Sequence, residues 1–174
     1  MESNFALGAL LMSIVGALFD LKSGRIPNWL TGGALTAGLI VRAWFSGWHG
    51  LAAGALGALF GGAVLFVPFL AHGIGGGDVK LMAAAGAWVG ARHALVLILA
   101  TAIAGGLLAI GYMIAHSRVG DTLWRVARLI AIHAGGGGSH VDLDDSVPDS
   151  IRFPYALAIA AGASFVFVSS SLWR

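Results

Sequence analysis

Between Leu51 and Ala71 the chain carries no charged residue and no hydrogen-bonding side chain. A helix needs about 20 apolar residues to cross the hydrocarbon of a bilayer, so this stretch alone is a membrane crossing. Five further runs follow the same logic: Phe5 to Phe19, Trp29 to Ser46, a short one from Val79 (VKLMAAAGAWVG), Ala94 to Ala115, and Phe153 to Trp173. In lipid every backbone amide must be paired inside its own segment, which selects helices. A barrel needs alternating strands of about ten residues, and these runs are too long and too uniformly apolar. The expected fold is an all-α polytopic membrane helix bundle of about six transmembrane helices, forming one domain over residues 1–174. Charged residues make up 10% of the chain, against about 25% in a soluble domain. That excludes a soluble enzyme, a disordered chain and a nucleic-acid binder. The net charge of +2 gives no basic patch either.

The run from Val79 covers only about 20 Å at 1.5 Å per residue. It is read as a span whose end groups, Asp78 and Arg92 or His93, snorkel to the surface, with a re-entrant segment as the alternative. With six spans, Lys22, Arg25, Lys80, Arg118, Arg125, Arg128 and Arg152 fall on one side, and Arg42, Arg92 and Arg174 on the other. The side richer in Lys and Arg is cytoplasmic, which puts both termini outside. The first run follows Glu2 with no basic segment before it, and is read as a retained helix, not a cleaved signal. Gly50, Gly54, Ala58 and Gly62, with Gly57 and Gly61 beside them, form a small-residue stripe for close helix packing. Arg42 sits near the outer end of its span, where snorkelling explains it. Residues 117–151 read as a cytoplasmic amphipathic helix (DTLWRVARLIAIH) followed by a flexible linker. The linker acids Asp142, Asp144, Asp145 and Asp149 lack the glycine and terminal glutamate of a calcium loop, so they read as solvated.

Setting aside Glu2, Asp121 and the linker leaves two acids, Asp20 and Asp78, each at the end of an apolar run. The topology brings both to the cytoplasmic level. Acids at such depth mark functional sites, although a single Asp at a span boundary is more often a cap. Two neighbouring carboxyls resist double ionisation and share a proton. The ionised one can activate a water while the protonated one polarises a peptide carbonyl. Asp78 precedes a helix and neighbours Lys80, which favours its charge, so it is assigned the water and Asp20 the proton. Cysteine is absent, and none of the six histidines has a ligand spacing. No metal and no cofactor is expected.

The two acids lie in FDLKSGRIPN, where Asp20 precedes Ile26-Pro27-Asn28, and in GGGDVKL, where Gly75 and Gly77 precede Asp78 and Lys80 follows. Together these segments resemble the two signature loops of the type IV prepilin peptidases, membrane aspartyl proteases of the GxGD class. FPYALAIAAGA, from Phe153, resembles their last helix. The resemblance implies that Asp20 and Asp78 are the catalytic pair. It implies support or substrate contacts from Gly75, Gly77, Lys80, Pro27 and Asn28. It also implies a prepilin substrate, cut at the cytoplasmic face of the bacterial inner membrane just before its hydrophobic helix. The partners implied are membrane lipid and pilus or secretion assembly proteins. Long members carry a CxxC zinc insertion and many N-methylate the new terminus. This chain has no cysteine and no room for that insertion between Asp20 and Trp29, so it resembles the short Flp/Tad-type members. The resemblance lends no support to methyltransferase activity. Presenilin-like proteases share GxGD, but here Phe153-Pro154-Tyr155-Ala156-Leu157 is only a loose echo of their Pro-Ala-Leu motif.

A transporter or proton relay is the rival reading, because intramembrane acids also line ion paths. It requires mid-span acids and an internal repeat. Both acids here are at span ends, and the sequence shows no repeat. A purely structural subunit leaves both loops unexplained.

Overall fold

The computed structural model describes residues 2–71, 73–115 and 155–172. They form four helices: α1 (Glu2–Ser23), α2 (Asn28–Leu70), α3 (Gly76–Ala115) and α4 (Tyr155–Leu172). Among the described residues, these four helices are long and apolar enough to cross a membrane. The contacts described below lie within one compact unit, residues 1–106 with 154–174. Of the second unit, 107–153, the described part is the end of α3. The amphipathic helix and linker expected at 117–151 lie outside the described residues.

The expected six segments do not appear as six helices, and the difference lies at two glycines. α2 has 43 residues and α3 has 40, about twice what one crossing needs. Each is interrupted once. Gly47 has φ 57° and ψ −145°, and Gly90 has φ 75° and ψ 170°, a region essentially closed to other residues. The chain doubles back at both. A Cβ on Gly54 would lie 3.1 Å from Leu39 Cδ2, whereas residues so far apart along a straight helix are separated by about 22 Å. Likewise Gly105 packs on the Tyr155 ring, with 3.1 Å from a Cβ to Cε2, and Tyr155 lies within range of the Asp78 charge. A straight α3 would hold Gly105 about 40 Å from Asp78. A one-residue break is too short to show in a hydropathy pattern as a loop.

The glycine stripe packs as its spacing predicts, with a small shift. Its buried members are Gly50, Gly54, Gly57 and Gly61; Ala58 and Gly62 are half-buried. Gly54 faces the Ala87 carbonyl, Gly57 that of Gly86 and Gly61 that of Met82, so this half of α2 runs antiparallel to the first half of α3. A Cβ on Gly57 would overlap the Gly86 carbonyl oxygen, and one on Gly86 that of Gly57. Two backbones in contact gain dispersion and Cα–H···O interactions, which drive helix association where lipid offers no hydrophobic gain. Elsewhere Gly8 and Gly38 flank the Trp88 ring, whose Nε1 donates to the Ala34 carbonyl at 2.8 Å. Gly162 of α4 sits on Thr101 and Leu97 of α3.

Arg42 is not at the surface. It is 5% exposed, which overturns the snorkelling expectation. Its Nε donates to the Trp88 carbonyl at 2.8 Å and its Nη2 to that of Val89 at 2.7 Å. The guanidinium carbon lies 4.6 Å from the centroid of the Phe5 ring. The break at Gly90 leaves carbonyls of the preceding turn without helical partners, and the planar guanidinium is shaped to take two at once. Arg42 is therefore a helix cap made from another helix, and it drops out of the loop charges that set orientation. At the solvent and lipid surface, Trp44 and Trp48 flank the Gly47 turn, 84% and 76% exposed. Trp29 marks the other end of the same half-helix. Such aromatic pairs sit at the two membrane–water boundaries.

Candidate active site

Asp20 ends up half-buried in the last turn of α1. That turn is closed by Gly24, at φ 62°, whose N–H donates to the Asp20 carbonyl at 2.7 Å. This is the left-handed glycine cap that commonly ends helices. The chain then turns through Arg25 and Ile26, and Pro27, at φ −64° and ψ 137°, opens α2. Pro27 supplies no side-chain cap, and its carbonyl accepts from Leu30 and Thr31 at 3.1 and 3.3 Å. Phe19 meets Trp29 edge-on, with ring centroids 6.0 Å apart, which ties the Asp20 end of α1 to the start of α2.

Asp78 lies in the first turn of α3. Its N–H donates to the Gly75 carbonyl at 3.1 Å. Gly75 in turn lies against the carboxylate, where a Cβ would stand 3.2 Å from Asp78 Oδ2, and its backbone hydrogen-bonds the carboxylate. Gly77 packs on Ile26, 3.2 Å from a Cβ to the Ile26 Cβ. Both glycines are therefore needed for space: one admits the carboxylate, the other the loop after α1. Asp78 is 8% exposed, and among the described residues its Oδ1 is buried without a hydrogen-bond partner. A buried acceptor left unmade costs about 1–3 kcal/mol and calls for an explanation.

The two carboxyls are 58 positions apart in the chain, yet they act on each other electrostatically. The loops bearing them are tied together by Lys80 Nζ, which donates to Asn28 Oδ1 at 2.8 Å. Thus Asp20, Asp78, Gly75, Gly77, Lys80 and Asn28 gather at one end of the bundle, and Pro27 shapes the turn among them. Tyr155 is the residue that sequence reasoning missed. Half-buried in the first turn of α4, it lies within range of the Asp78 charge. It stands 77 positions from Asp78, a separation that no local spacing rule reaches. Among the described residues no group of three His, Cys, Asp or Glu side chains could hold a metal ion.

Two carboxyls at the ends of apolar helices that act on each other electrostatically can share a proton. Residues 7–110 match the model of the type IV leader peptidase family. Among curated proteins, the prepilin leader peptidase/N-methyltransferase of Burkholderia pseudomallei is 37% identical over 107 residues, which cover 58% of this chain and 34% of that protein. The protein of the same name from Aeromonas hydrophila is 32% identical over 118 residues, 62% of this chain and 40% of its own. The chain thus spans between a third and two-fifths of the length of these relatives. No solved structure matches it.

Proposed function

The chain belongs to the type IV leader peptidase family, and from that premise we propose that it is a membrane aspartyl endopeptidase acting on prepilins. The observation that carries this reading is the meeting of Asp20 with a buried Asp78 whose Oδ1 has no partner among the described residues. One carboxylate takes a proton from the water between them. The resulting oxygen attacks the carbonyl carbon of the scissile peptide, and the other carboxyl gives its proton to the carbonyl oxygen. In the second step the first carboxyl passes its proton to the amide nitrogen, the second carboxylate takes one from a hydroxyl of the gem-diol, and the C–N bond breaks, so water is consumed and the pair returns to its starting state. The pair titrates as one unit.

The helix breaks at Gly47 and Gly90 support six membrane crossings, with the aspartates at the cytoplasmic face of the inner membrane. A basic leader would lie in the cytoplasm and the pilin helix would enter the bilayer. The peptidase reading is taken without the methyltransferase. α1 passes to α2 through only Gly24 to Pro27, which leaves no place there for a cysteine-bearing insertion, as in the short Flp/Tad-type members. Pilus or secretion assembly proteins are the further partners of this reading.

The test is cleavage, by the purified protein in liposomes, of a peptide with a basic leader, a glycine and a hydrophobic helix. Wild type is expected to release the leader, and Asp20→Asn and Asp78→Asn to release none while inserting normally. Substantial cleavage by either variant sinks the assignment. A proton or ion flux with no cleavage supports the transporter reading instead.

A further inference from the structure

Two helices far apart in sequence carry the aspartates, and the chain must hold them in register by non-covalent contacts. The segment leaving Asp20 is short, and it crosses the start of α3. It touches α3 twice. Ile26 lies on Gly77, where a Cβ would stand 3.2 Å from the Ile26 Cβ. Two residues later Asn28 Oδ1 accepts the hydrogen bond from Lys80 Nζ at 2.8 Å. Lys80 follows Asp78 by two residues, so the bond closes a ring through both carboxyl-bearing segments. Both partners are exposed, so the bond adds little to global stability. Its position makes it matter. Reactions between two groups and a water depend on placement, and a displacement of about 1 Å costs about 100-fold in rate.

We propose that the Lys80–Asn28 pair is a positioning clamp that sets the distance between the Asp20 and Asp78 carboxyls, an inference that rests on the peptidase reading above. Neither residue touches the reacting atoms. Lysine suits the task because its ammonium donates from a long stem that spans the gap between two helices. Asparagine places a neutral oxygen at the very start of α2, where a helix already begins. The Ile26–Gly77 contact fixes the height of the loop, and the clamp fixes its lateral position.

The experiment uses the full chain in liposomes with the prepilin-type peptide, and reads kcat and KM separately. Asn28→Ala and Lys80→Ala are each expected to lower kcat by about 10–100-fold and to leave KM within about twofold. Their double variant should be no slower than the slower single, because the bond can be lost only once. Asn28→Asp should restore kcat, since a carboxylate accepts the same ammonium proton. A double variant that falls by the product of the two singles overturns the clamp, as does a loss confined to KM. A second readout does not depend on cleavage. The chain has no native cysteine, so nitroxides on Lys22→Cys and Gly73→Cys, both exposed, report the spacing of the two loops by dipolar EPR. The distance distribution should broaden in Asn28→Ala and narrow again in Asn28→Asp. An unchanged distribution overturns the clamp even if cleavage changes. Wild-type protein that holds the narrow distribution but cleaves nothing overturns the peptidase reading and leaves the clamp standing.

Discussion

The two ends of this bundle treat buried polar groups in opposite ways. At the Gly90 end, the carbonyls freed by a helix break are taken up by Arg42, which also lies against the Phe5 ring. At the aspartate end, Asp78 is buried with Oδ1 unmatched among the described residues, beside loops whose glycines leave room around it. One end is finished and the other is left incomplete. In a low-dielectric interior an unmatched acceptor is costly, and the proposed function reads this one, beside a second carboxyl, as the place of a water and a substrate. The contrast separates residues that hold the bundle together from residues to which the proposed function gives the chemistry.

The largest effect expected is on chemistry alone. Asp78→Asn should lower cleavage by at least about 1,000-fold without lowering the melting temperature in detergent. A large loss of stability would place Asp78 with the structural end. The converse variant, Arg42→Met, keeps the apolar stem and removes the donors. Two buried carbonyls left unpaired at about 1–3 kcal/mol each predict a loss of about 3 kcal/mol, read by denaturant titration. Arg42→Lys should fall between, because an ammonium cannot fork to two carbonyls in the same plane.

The two glycine turns sharpen the comparison further. Both adopt backbone angles that cost another residue about 1–3 kcal/mol. Around Gly47 nothing lies within 4 Å of an added Cβ, whereas at Gly90 it would stand 2.6 Å from the Arg42 guanidinium carbon. Gly90→Ala should therefore destabilise more than Gly47→Ala. The excess should vanish in the Arg42→Met background, since the displaced group is then gone. Equal effects in both backgrounds would mean that Arg42 is not what Gly90 makes room for. The smallest effect expected is a gain. Gly33, in the aspartate half of α2, is helical with open space around it, and Gly33→Ala should stabilise by about 0.5–1 kcal/mol.

What the sequence reveals and what it conceals follow the same division. The aspartates are legible because acids at the ends of apolar runs are rare and costly, and the glycine stripe because its spacing is local. Arg42 misleads because distance from a span end is visible while the break that frees the Trp88 and Val89 carbonyls is not. A single non-helical glycine among 27 leaves no compositional trace. The Lys80–Asn28 bond and the place of Tyr155 depend on which helix ends meet, and that is decided by packing over the whole chain. Both loops can be read singly, but their contact cannot.

The first half of α3, from Gly76 to the break at Gly90, has about 14 residues and so rises about 21 Å, short of the roughly 30 Å hydrocarbon layer. Its upper end is closed by Arg42, and its lower end carries Asp78. A short element in a thick slab forces the slab to thin around it. In the six-crossing reading proposed above, the lipid surface would dip toward the carboxyl and carry water down to a depth that a full-length helix would keep dry. Acyl-chain length would then be a variable of the proposed site: shorter lipids would relieve the mismatch, and longer ones would oppose the dimple that hydrates it.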